Sequence, residues 1–124
     1  MTRLDQLTAL RDKVRDGTLP EAVFHGTSGI RDHWAYETGL SPYQRRQVYL
    51  AYNGSVDAAF ALFAALLPGW VWNAGHLDDP SLGYVATVSE GPFVNSPSWR
   101  GFAPDPARAL LLAMFEAMIK KEEG

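Results

Sequence analysis

Two hydrophobic periods meet in Ser55-Val56-Asp57-Ala58-Ala59-Phe60-Ala61-Leu62-Phe63-Ala64-Ala65-Leu66-Leu67-Pro68-Gly69-Trp70-Val71-Trp72-Asn73. Up to Leu67, the residues Val56, Ala59, Phe60, Phe63, Leu66 and Leu67 recur at the i, i+3, i+4, i+7 spacing of one helix face. Ser55 is suited to cap that helix, and Asp57 places an anion in the first turn, where the helix dipole favours it. Pro68-Gly69 breaks the pattern. Beyond it, Trp70 and Trp72 are two apart and share a face only if the chain is extended. The stretch predicts a helix over 55–67 and a strand over 70–73, and so a mixed α+β chain.

Working outward toward the C-terminus, Tyr84 to Val88 has the aromatic and β-branched content of a partner strand. Asp78-Asp79-Pro80-Ser81 with Gly83 supplies the turn of the hairpin. Gly91, Pro92, Pro97 and Pro104 limit residues 89–104 to a loop or one short edge strand around 93–94 or 100–102. Asp105 then caps a helix over 105–122 with Pro106 at its first position. Its expected buried stripe is Ala107, Leu110, Leu111, Met114, Met118 and Ile119, with Lys120 and Lys121 at the end that favours cations.

Toward the N-terminus, Ser41-Pro42-Tyr43-Gln44 opens a helix over 41–52 that stops at Asn53-Gly54. Leu4, Leu7, Leu10 and Val14 make the apolar stripe of a helix over 2–16, with Thr2 as cap and Gly17 as stop. Residues 18–40, with Pro20, three glycines, His25 and His33, hold no sustained period and read as an irregular segment. The expected fold is a single α+β domain over 1–124, a small antiparallel sheet flanked by helices.

The 124 residues are 47% hydrophobic and 20% charged, an ordinary globular composition. There is no cysteine, which excludes disulfides, thiolate zinc sites and cysteine nucleophiles and accords with a reducing, cytoplasmic setting. No apolar run reaches the length of a membrane span, and residues 1–17 carry no signal-peptide core. The net charge of −3 is uneven: residues 47–99 contain no Lys or Arg but do contain Asp57, Asp78, Asp79 and Glu90. That middle argues against direct nucleic-acid binding, which needs several cations on one surface. It suits a basic protein partner instead.

His25, His33 and Glu37 offer nitrogen and oxygen ligands, but their spacing has no tetrahedral-site logic, and the expectation is no metal. No Gly-x-Ser-x-Gly elbow and no phosphate loop is present. Trp34, Tyr36, Tyr43 and Trp99 lie in or beside irregular stretches, where burial is hard. They are therefore candidates for a contact surface, since Trp and Tyr give large contact area at low entropy cost.

Two resemblances bear on function. Phe24-His25-Gly26-Thr27-Ser28, Gly39-Leu40 and Val48-Tyr49-Leu50-Ala51 resemble the first half of an ADP-ribosyltransferase. That likeness implies a His25 segment holding the nicotinamide ribose, Tyr49 stacking on nicotinamide from a strand, and Glu90 as the catalytic carboxylate. Ser41-Pro42, by contrast, reads as the start of a helix in that region. The second likeness covers residues 52–124. Tyr52-Asn53-Gly54-Ser55-Val56-Asp57, then Leu66-Leu67-Pro68-Gly69-Trp70-Val71-Trp72, then Ala103-Pro104-Asp105-Pro106-Ala107-Arg108 resemble in order the small "ABA sandwich" proteins of tailed bacteriophages and prophages. This implies a phage or prophage accessory protein in the bacterial cytoplasm, with no cofactor and no assigned reaction.

The leading expectation is a non-enzymatic protein-binding module, in its narrower form an anti-defence, anti-CRISPR-like inhibitor of a host nucleic-acid-handling protein. Asp78, Asp79 and Glu90 would be its contacts, with Trp99, Tyr43 and Trp34 as aromatic anchors. The rivals are the NAD-binding enzyme using His25, Tyr49 and Glu90, and a homodimer with its aromatics across a two-fold axis. An exposed hairpin edge is itself a site for a partner strand.

Overall fold

The computed structural model describes residues 2–19, 40–79, 83–93 and 95–124. Among them are α1 (Arg3–Asp16), α2 (Pro42–Tyr52), α3 (Val56–Leu66), β1 (Val71–His76), β2 (Tyr84–Ser89), β3 (Ser98–Ala103) and α4 (Pro106–Glu123). The fold is α+β, a three-stranded antiparallel meander in the order β1-β2-β3 with helices packed against it.

The helix ends follow local chemistry. Thr2 Oγ1 accepts from the Asp5 amide at 3.1 Å while Asp5 accepts from the Thr2 amide, and Ser41 and Gln44 do the same for α2. Ser55 and Asp105 accept from the third amide of α3 and α4. These bonds satisfy amides that the helix itself leaves without partners.

The first strand differs from its expected bounds of 70–73. The Trp70 amide donates to the Leu67 carbonyl at 3.1 Å, and Gly69 has φ of +84°. With Pro68 and Gly69 central, this is a β-turn needing glycine at its third position, so pairing starts at Val71. It then runs to His76, because the hairpin closes only at Leu77, whose amide donates to Gly83 O. The edge strand expected around 93–94 or 100–102 is a full six-residue strand, β3, paired along all of β2. Pro97 and Pro104 bracket it and leave every amide between them free to pair.

The core centres on α4. From Ala107 to Ile119 all but Arg108 and Glu116 are buried, including Ala109, Leu112, Ala113, Phe115 and Ala117 outside the expected stripe. The reason is that α4 meets the sheet on one side and α1, α2 and α3 on others. A helix covered from several directions needs apolar residues around its circumference. Leu7, Leu10 and Val14 of α1, Val48 of α2, and Leu62 and Phe63 of α3 close the cluster. Arg108 on α4 donates to the Tyr52 carbonyl at the end of α2 and stands 4.4 Å from the Tyr52 ring centre, tying the two helices.

On α3 the inward residues are Ala58, Ala59, Leu62 and Phe63. Val56 and Phe60, expected in the core, are 42% and 50% exposed. The helix is rotated so that the 58/59/62/63 face meets α2 and α4, which turns 56 and 60 outward.

Candidate functional site

Alternation sorts the sheet into two faces. Trp72, Ala86, Val88, Trp99, Gly101 and Ala103 face inward toward the helices, and Ala86, Val88, Gly101 and Ala103 are buried. Val71, Asn73, Gly75, Val85, Thr87, Arg100 and Phe102 face the other way. On that outer face Gly75, Val85 and Phe102 share one row, and Phe102 is 54% exposed. The next row is polar, Asn73, Thr87 and Arg100.

The acidic residues lie at the two ends of this sheet. Asp78 and Asp79 are exposed just past His76, next to the Val85–Phe102 row. Glu90 is exposed just past Ser89, at the opposite end of β2. Six strand residues put them on the order of 20 Å apart. Asp78, Asp79 and Glu90 therefore bracket the outer face instead of forming one cluster.

Trp99, read from sequence as an aromatic beside an irregular stretch, lies within β3 on the inner face. It is half-buried and stacks on Trp70 at 5.6 Å between ring centres, because position 99 shares its side of the strand with Gly101 and Ala103. Lys121 Nζ stands 5.3 Å from the Trp70 ring centre. Tyr43 is 65% exposed in the first turn of α2, away from the sheet. Tyr49 is half-buried on α2, a helix where the ADP-ribosyltransferase likeness implies a strand. Trp34, Tyr36, His25, His33 and Glu37 lie outside the described residues.

A second surface lies on the side of β1 away from β2, which no other described strand covers. An open groove of about 510 Å³ runs between α3 and β1, lined by Phe60, Phe63, Leu67, Trp70, Val71 and Trp72. Phe60 meets Trp72 edge-on at 6.0 Å. A third, smaller groove of about 160 Å³ lies beside β3, where Arg11, Arg15 and Arg100 stand near Glu116. Its cations are largely compensated: Arg11 pairs with Asp12 and Glu116 at 3.0 Å, and Arg15 with Asp12 at 3.2 Å. Burial works to lower the Arg11 pKa, but the hydrogen bond to Asp12 and the charges of Glu116 and Asp12 outweigh it. The guanidinium ends up held above its ordinary value.

Among the described residues no group of three or more His, Asp or Glu is placed to hold a metal ion, and no helix is long and apolar enough to cross a membrane. No protein-family model, curated protein or solved structure matches the chain. The exposed apolar residues on these surfaces are Phe60, Val71 and Phe102, with Val85 half-buried beside Phe102, and none of the four is among the contacts expected from the sequence. The alternation within 84–88 carried the signal for Val85, but Phe102 needed the β3 register.

Proposed function

We propose that this chain is a non-enzymatic protein-binding module, a phage or prophage accessory protein acting in the bacterial cytoplasm on a host nucleic-acid-handling protein, as an anti-defence inhibitor does. The observation that carries the reading is the outer sheet face. It has an exposed Phe102 beside Val85, with Asp78 and Asp79 at one end and Glu90 at the other. An apolar row at one end of the face, with carboxylates beyond both ends and Arg100 in the polar row between, gives the apolar anchor and polar rim of a protein interface. The rim is acidic and residues 47–99 hold no Lys or Arg, so the complementary surface is cationic. Proteins that handle nucleic acid carry such surfaces, and carboxylates can occupy positions built for phosphates. The resemblance of residues 52–124 to the phage ABA sandwich proteins is what supports the origin.

The test is quantitative binding to a host protein captured from lysate, comparing the wild type with Phe102→Asp and with the double variant Asp78→Lys/Asp79→Lys. The expected result is one stoichiometric partner whose affinity falls on the order of thirtyfold for Phe102→Asp, the scale of an anchor residue. Charge reversal weakens it further as salt is lowered, the opposite of the wild type's salt response. A partner indifferent to all three substitutions, or no partner, overturns the reading.

A further inference from the structure

We infer that Asn73, Thr87 and Arg100 on the outer sheet face receive a carboxylate of the partner protein, so that the host surface this chain fits carries an acidic side chain set among its cations. The inference deepens the proposed function and rests on it.

Arg100 is held in the face by the sheet and not by a charge of its own chain. It lies on β3, two residues from Phe102 and on the same side of the strand. It is exposed, and among the described residues its side chain makes no ion pair and no hydrogen bond. Glu116 lines the groove beside it but is held by Arg11 at 3.0 Å. The carboxylates at the ends of the face do not neutralise it either. Its row lies about 10 Å along β2 from Glu90 and at least as far from Asp78 and Asp79.

The neighbours of Arg100 make the position a donor row. Thr87 stands opposite Arg100 on one side and opposite Asn73 on the other, so the three side chains form a line across the sheet, about 5 Å apart. The side chains of Asn73 and Thr87 also make no hydrogen bond among the described residues. A carboxylate places two acceptor oxygens in one plane, which matches the fork of a guanidinium, and a hydroxyl or amide alongside can donate to the same oxygens.

Burial decides where the anion comes from. Phe102 is the apolar anchor of the proposed interface, and the groups around an anchor are shielded from water. A standard interface buries about 800 Å² of each partner, and the next row is only about 7 Å from Phe102. Arg100 is therefore covered together with Phe102. A covered guanidinium with no anion is strongly unfavourable, and this chain supplies none, so the partner does. Beyond the ends of the face the requirement is reversed, because Asp78, Asp79 and Glu90 call for cations. The fitting host patch is acidic at its centre and basic on both flanks. A uniformly basic track sets a like charge against Arg100 and is disfavoured.

The experiment is titration calorimetry at fixed salt between the full chain and the host protein that the wild type captures, with the variants Arg100→Gln, Arg100→Glu and Phe102→Asp. Circular dichroism with thermal melting checks that each variant folds, which an exposed side chain without bonds to the described residues is not expected to disturb. Arg100→Gln is expected to bind about thirtyfold more weakly than the wild type, and Arg100→Glu about tenfold more weakly again, since it sets two carboxylates face to face. Against a uniformly basic surface the order inverts, and Arg100→Glu binds tightest. An Arg100→Glu variant that binds as tightly as Arg100→Gln or more so, or an Arg100→Gln variant within about threefold of the wild type, overturns the inference. If Phe102→Asp still weakens binding in that case, the host-binding reading stands and this inference alone falls. A chain that captures no host protein overturns both.

Discussion

A side chain at position 101 would collide with the backbone of α4: a Cβ there meets the Ala109 carbonyl oxygen and the Ala113 amide nitrogen, with the Leu112 Cβ at 2.8 Å. Helix backbone cannot step aside as the tip of a lysine can, so α4 as a whole must lift off β3. Gly101→Ala is therefore expected to cost about 2–3 kcal/mol, the upper range for overpacking a filled core, read as a lower urea midpoint with an unchanged slope. Gly75 is the internal control. A Cβ there meets nothing within 4 Å, and its backbone is not in the left-handed region. Gly75→Ala should be neutral or add a few tenths of a kcal/mol. Equal losses at the two positions would mean that α4 does not sit on β3 as described. At this scale the sequence is legible where a residue acts on its own neighbours, as Thr2, Ser41, Ser55 and Asp105 do in capping. It is silent where the neighbour is distant, and nothing near Arg100-Gly101-Phe102 says that α4 lies on the glycine.

Among the elements, α4 depends most on how it begins. Asp105 accepts from the Arg108 amide at 2.8 Å, with Pro106 following at a position whose missing N–H costs nothing. Asp105→Ala is expected to destabilise the fold by about 1 kcal/mol, and Asp105→Asn to recover most of it. If Asp105→Asn were as costly as Asp105→Ala, the contribution would be the charge at the helix end and not the capping hydrogen bond. The elements also show why the expected stripe on α4 was too narrow. Periodicity detects contrast between an apolar and a polar face, and a helix packed on several sides has little contrast. α3 errs in the other direction. Its composition marks it as apolar, but which residues point inward was set by α2 and α4, and Val56 and Phe60 ended up outside.

For the whole molecule, α4 touches every other helix and every strand among the described residues, so it cannot open while they stay folded. Amides from Leu110 to Ile119 should exchange with solvent only through global unfolding, at the free energy found by denaturation. Fast exchange across α4 would show that the sheet and helices come apart as separate units. Local chemistry alone determined that this chain has capped helices, a Pro-Gly turn into a strand, a hairpin, and an acidic middle without Lys or Arg. Each of these depends on residues within a few positions of one another, and short-range sterics and hydrogen bonding decide them. Only the tertiary structure decided the full β3 strand, the seating of α4 on Gly101, the separation of Asp78 and Asp79 from Glu90 along the sheet, and the outward turn of Phe60 and Phe102. Those features depend on which element packs against which, and packing partners far apart along the chain leave no mark in the spacing of neighbouring residues.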